Sequence, residues 1–152
     1  LLAAGPKYLH EKLQSVLRAA ARLVLQLPHR SSVSGIMRGQ LHWLEMPDRV
    51  RFKLCTLVYR CLHGLPPSYL PDLCMPATVH AHLRSSVTLE RSLSIPRTKT
   101  KTLGPRGFYF ASSAVWNALP VHLRDPELSL NSFKTKLKTH FFPDPTWATF
   151  II

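Results

Sequence analysis

The sequence predicts a mainly helical fold, a small helical domain or fragment with one short β-hairpin near residues 93–110. Three observations carry this. Apolar residues recur at three- and four-residue spacing in runs bounded by prolines, glycines and capping side chains. Between Leu93 and Phe110 that period gives way to alternating threonines and cations ahead of a Gly-Pro turn. Hydrophobic residues make up 45% of the 152 and mean hydropathy is near zero, so the chain can bury a core.

The best-bounded element lies within Leu41–Pro67, LHWLEMPDRVRFKLCTLVYRCLHGLPP. Asp48 is positioned to cap a helix there, and Gly64 with Pro66 and Pro67 stops it. Val50, Leu54, Leu57, Val58, Cys61 and Leu62 form one apolar stripe, with Phe52, Cys55 and Tyr59 beside it. Only Arg49, Lys53, Thr56 and Arg60 remain as a narrow polar face. A helix so widely apolar belongs at the centre of a fold, with one basic edge.

The remaining elements are expected around it. An amphipathic helix is predicted from Tyr8 to Leu27, with Leu9, Leu13, Val16, Leu17, Ala20, Leu23, Val24 and Leu27 on its apolar face. Its other face carries Arg18 and Arg22, one turn apart, which suits either successive phosphates or a solvated surface. Ser31, Ser32 and Ser34 offer caps for a short helix over Gly35–Gln40, and Trp43 reads as a core anchor rather than a stacking platform. A single helical turn is expected at Ser68–Leu73, and residues 77–92 have the aperiodic composition of a loop. Arg97, Lys99 and Lys101 would share one face of an extended strand, with Arg106 beyond; such a row tracks a phosphate backbone or guards an edge strand. Phe108–Phe110 continues as a short strand, and Ser112 or Ser113 caps a helix through Ala118 that turns Val115, Trp116 and Leu119 inward. Ser129 caps a last helix whose buried line is Leu130, Phe133, Leu137 and Phe141, leaving residues 143–152 as a tail.

Twenty Lys and Arg against eight Asp and Glu give a formal charge of +12 and a pI near 10.3. A polyanionic partner is expected, and nucleic acid is preferred over an anionic membrane because no continuous apolar run is long enough to span a bilayer. Cys55, Cys61 and Cys74 are an odd number without paired spacing and suit a reducing, intracellular compartment. LLAAGP lacks the features of a signal peptide, and a start at Leu1 is expected of a fragment. No phosphate-binding glycine loop, dinucleotide fingerprint or nucleophile elbow occurs. The acids are too scattered to support a two-metal site. Zinc ligation by Cys61, His63, Cys74, His80 and His82 is disfavoured, because Cys61 and His63 diverge on a helix and no C-x-x-C pair is present.

Three blocks together resemble the C-terminal region of the reverse transcriptase of LINE-type non-LTR retrotransposons, of the chicken-repeat-1 and jockey-like lineages. They are LQSVLRAAARLVLQLP (Leu13–Pro28), LHWLEMPDRVRFKLCTLVYRCLHGLPPSYLPDLC (Leu41–Cys74) and PRTKTKTLGPRGFYFASSAVWNALPVHLRDPELSLNSFKTKLKTHFF (Pro96–Phe142). The resemblance implies a thumb-like helix over residues 1–30, a central helical segment over 31–76, and a basic C-terminal extension over 93–142. The catalytic palm and its metal-binding aspartates would lie in a polymerase domain upstream of Leu1. The chain itself would then have no catalysis and no cofactor, and would grip template RNA or target DNA beside the polymerase site. Arg18, Arg22, Arg97, Lys99, Lys101 and Arg106 are the residues carried into that role, on charge and face. Glu45 and Met46 depart from the proline that usually follows LHWL in the family, and the stretch after Phe142 has no counterpart in it. The missing palm is also what a truncated genomic copy would lack, so a decayed fragment and a stand-alone basic RNA- or protein-binding module are the alternatives.

Overall fold

A computed structural model describes residues 5–65, 70–77, 92–95, 97, 100, 104 and 107–142. Its helices are α1 (Lys7–Val24), α2 (Ser34–Gly39), α3 (Met46–Leu62), α4 (Phe108–Asn117) and α5 (Leu130–Phe141). Single 3₁₀ turns lie at Pro71–Leu73 and Val121–Leu123.

The wide apolar girth of α3 puts it at the centre, packed against α1, α4 and α5. The sequence places the cap of its start at Asp48, and the structure does not. Glu45 is the extended residue before the helix and Pro47 sits in the first turn, where a missing N–H costs no helical hydrogen bond. Asp48 falls inside that turn, where the helix dipole favours its charge, and it receives Arg38 at 3.5 Å and Arg51 at 3.4 Å. The far end closes as expected: Gly64 takes φ +68° and Leu65 N–H returns to the Arg60 carbonyl at 3.0 Å.

One large core gathers Cys55, Val58, Tyr59 and Cys61 of α3 with Trp116, Leu119, Leu123, Phe133 and Leu137. The Phe133 ring stacks on Tyr59 at 4.5 Å and tilts against Trp116 at 5.9 Å. Tyr59 also donates its hydroxyl to the Leu128 carbonyl, which fixes the approach to α5. Ser129 caps that helix by accepting the Ser132 N–H, and Phe133 and Leu137 are fully buried as their spacing required. A second, smaller core consists of Ala21, Val33 and Met37, flanked by Leu17, Leu27, Leu41 and Trp43.

Three local expectations are corrected. Phe108–Phe110 is the first turn of α4 and not a strand, with Gly107 extended before it. Alternation over three aromatic residues does not separate a strand from a helical turn, and packing Phe108 on the large core decides for the helix. Ser112 and Ser113 are therefore interior to α4, buried, and bonded back to the Tyr109 carbonyl rather than capping anything. Likewise α2 begins after Val33 without a side-chain cap from the nearby serines.

Much of the hairpin expected near 93–110, residues 96, 98–99, 101–103 and 105–106, lies outside the described residues; among those described, one antiparallel bridge pairs Pro76 with Leu93. Asn117 holds Leu93 in place from the other side. Its amide donates to the Leu93 carbonyl and accepts the Leu93 N–H, both at 2.8 Å, as a neighbouring strand would.

Candidate nucleic-acid interface

The described lysines and arginines fall on α1, α2, α3 and α5 and at Arg30, Arg97 and Arg124. On α3, Arg49, Lys53, Thr56 and Arg60 follow 4-3-4 spacing, so they form one row along the side turned away from the large core. Together with Leu44, Phe52 and Leu57 they edge a shallow groove of about 370 Å³.

The row is partly preorganised. Arg49 stacks its guanidinium over Trp43 at 5.5 Å and donates Nε–H to the Leu44 carbonyl at 2.9 Å. Arg60 donates to the Leu65 carbonyl at 3.1 Å, beyond the end of the helix. Thr56 donates its hydroxyl to the Phe52 carbonyl at 2.8 Å, leaving the oxygen lone pairs toward the groove edge. Lys53 and Arg60 are exposed. The arrangement offers cations at successive turns above an apolar floor, which suits a phosphate backbone lying along the helix.

The six residues proposed from sequence are distributed differently. Arg18 is exposed on α1 and keeps its guanidinium in solvent. Arg22 is half-buried and donates from Nε and Nη2 to the Ser31 carbonyl, both at 3.3 Å, so it ties the end of α1 to the following turn. Arg97 is exposed. Lys99, Lys101 and Arg106 lie outside the described residues. Among the described residues no hydrogen bond or ion pair joins Arg97 to the α1 arginines.

Arg124 was not singled out from sequence. It is 8% exposed and donates to the Ser92 hydroxyl at 2.8 Å, in a cleft of about 280 Å³ that also contains His63, Trp116 and Asp125. Isolated in a run of turn residues, it carried no periodic signal.

The thiols are buried in apolar surroundings. Burial pushes Cys55 and Cys74 up to about 12, and raises Cys61 as well. Such burial favours the neutral thiol at neutral pH. His63 stacks on Tyr59 at 3.9 Å with its ring nitrogens on the Tyr59 and Pro126 carbonyls. Among the described residues no group of three or more His, Cys, Asp or Glu is placed to hold a metal ion. His80 and His82 lie outside them. No helix among the described residues is long and apolar enough to cross a membrane.

Comparison with protein families, with curated proteins and with solved structures yields no match.

Proposed function

We propose that the chain is a non-catalytic nucleic-acid grip, of the kind its resemblance to a LINE-type reverse-transcriptase C-terminal region implies, holding template RNA or target DNA beside an upstream polymerase domain. The observation that carries this reading is the row Arg49, Lys53, Thr56 and Arg60 along a groove on α3, in a chain of net charge +12. Cations at helical spacing neutralise phosphates without reading bases. Binding is therefore weakly sequence-specific and releases counterions.

The test is fluorescence anisotropy of the full chain with a labelled RNA–DNA duplex over a salt series. A log-linear loss of affinity with salt is the expected result, and salt-independent binding or none contradicts the reading. A variant with Arg97, Lys99, Lys101 and Arg106 changed to alanine measures the share of the second basic stretch. A shallower slope adds that stretch to the grip.

A second reading, a protein-binding module, has an observation of its own. Val16 and Leu23 on α1 are 65% and 81% exposed, although both belong to an apolar stripe.

A further inference from the structure

The α3 groove pairs charge with apolar surface. Its lining among the described residues joins Arg49, Lys53 and Arg60 to Leu44, Phe52 and Leu57, and holds no carboxylate. Asp48, the acid next to Arg49 in sequence, receives Arg38 at 3.5 Å and Arg51 at 3.4 Å. A phosphate backbone alone uses the three cations and leaves the apolar wall between them without a ligand. An occupant that matches both carries negative charge along one side and a flat, weakly polar face on the other. Unpaired nucleotides have that chemistry.

Arg49 is where the two properties meet. Its guanidinium lies over the Trp43 ring at 5.5 Å and its Nε–H donates to the Leu44 carbonyl at 2.9 Å, so the group is held by a ring and by the backbone. Arg49 borders the groove, whereas Trp43 flanks the small core. A guanidinium is planar and has two faces. With one face on an indole, the other is a flat cationic surface of the kind on which bases stack.

We propose, on the reading of the chain as a nucleic-acid grip, that this groove is a base-stacking subsite for single-stranded nucleic acid. One unpaired base lies on the Arg49 face opposite Trp43, against Leu44 and Phe52, and the strand continues along α3 with its phosphates on Lys53 and Arg60. These two exposed cations stand about 6 and 17 Å beyond Arg49 by the rise per residue of a helix. A groove of about 370 Å³ is at the small end of ligand pockets, roughly 300–1,000 Å³, and suits a base rather than a duplex. In a duplex the base faces are covered by neighbouring pairs, which leaves only phosphates for the row. A face contact is sequence-tolerant, in keeping with a grip that does not read base edges.

The test is fluorescence anisotropy of the full chain over a salt series with four probes: a short oligouridylate, oligothymidylate of the same length, an abasic strand with the same number of phosphates, and the oligouridylate annealed to its complement. They are compared at the high-salt end, where phosphate contacts contribute least. The oligouridylate should bind roughly 5- to 150-fold tighter than the abasic strand, the worth of one stacked base, and tighter than the duplex. Oligothymidylate should match it, because a face contact does not sense the 2′-hydroxyl. Arg49→Lys keeps the charge and loses the plane, so binding should stay salt-dependent while the preference over the abasic strand largely disappears.

Equal binding of the abasic strand, a duplex as tight as the single strand at high salt, a preference confined to the RNA strand, or a preference that survives Arg49→Lys would overturn the proposal. With salt-dependent binding retained, each of those results leaves the phosphate grip standing. Absence of salt-dependent binding to all four probes would overturn the grip and the subsite together.

Discussion

The two cores use similar sequence patterns to different ends. Around α3, α4 and α5 nearly all the residues that the helical period turned inward are buried or part-buried, Leu62 at 40% exposed being the exception, and Cys55, Val58, Leu123, Phe133 and Leu137 have no exposed surface. In the α1–α2 lobe the pattern is as regular, yet Val16, Leu23 and Val24 face solvent while Gln14 is buried. The difference teaches that periodicity reports that a helix has an apolar face and does not report which molecule covers it. In the first region the described residues cover most of their own faces, and in the second they cover only part of one.

The largest expected effect comes from the first region. Phe133→Ala removes a fully buried ring held between Tyr59 and Trp116, and should lower stability by about 3–5 kcal/mol in urea denaturation. Met37→Ala, 1% exposed in the small core, should cost about 2 kcal/mol. Its signature is regional: amide exchange should rise in α1 and α2 more than in α4 and α5. A uniform rise would show that the two cores are one cooperative unit and erase the comparison.

Ser129→Ala removes the cap of α5 and should cost about 1 kcal/mol. The smallest effect concerns the thiols. Cys55, Cys61 and Cys74 should show almost no reaction with a disulfide reagent at pH 8 in the folded chain, and full reaction in denaturant. Their ionisation is raised by folding, so the stability they contribute is complete below about 9 and is lost as pH climbs toward 12. Rapid labelling in the native state would mean that the large core opens readily.

Much of this fold was legible in the sequence because the signals were local and strong. The termination of α3 by Gly64, the Ser129 cap and the buried line of α5 each rest on chemistry within a few residues. What was not legible depended on partners far along the chain. Gln14 reads as a surface residue until Met46 supplies an N–H for it, 32 positions away. Phe108–Phe110 alternates like a strand until the large core pulls Phe108 into a helix. The site shows the same division. Arg18 and Arg22 share a face on the helical wheel, but the Ser31 carbonyl recruits Arg22 for structure, a contact that no spacing rule foretells. The α3 edge was visible as a basic stripe, whereas the groove beside it required Leu44 to fold back along the helix.

The most direct test of the nucleic-acid reading compares the two regions as binding surfaces. Salt-dependent anisotropy with an RNA–DNA duplex would be measured for the native chain, for Lys53→Gln with Arg60→Gln on α3, and for Arg18→Gln on α1. A grip along the α3 groove predicts a slope of log affinity against log salt shallower by about 2 in the double variant, and nearly unchanged in Arg18→Gln. An unchanged slope in the α3 double variant, with the native chain still binding, would contradict it.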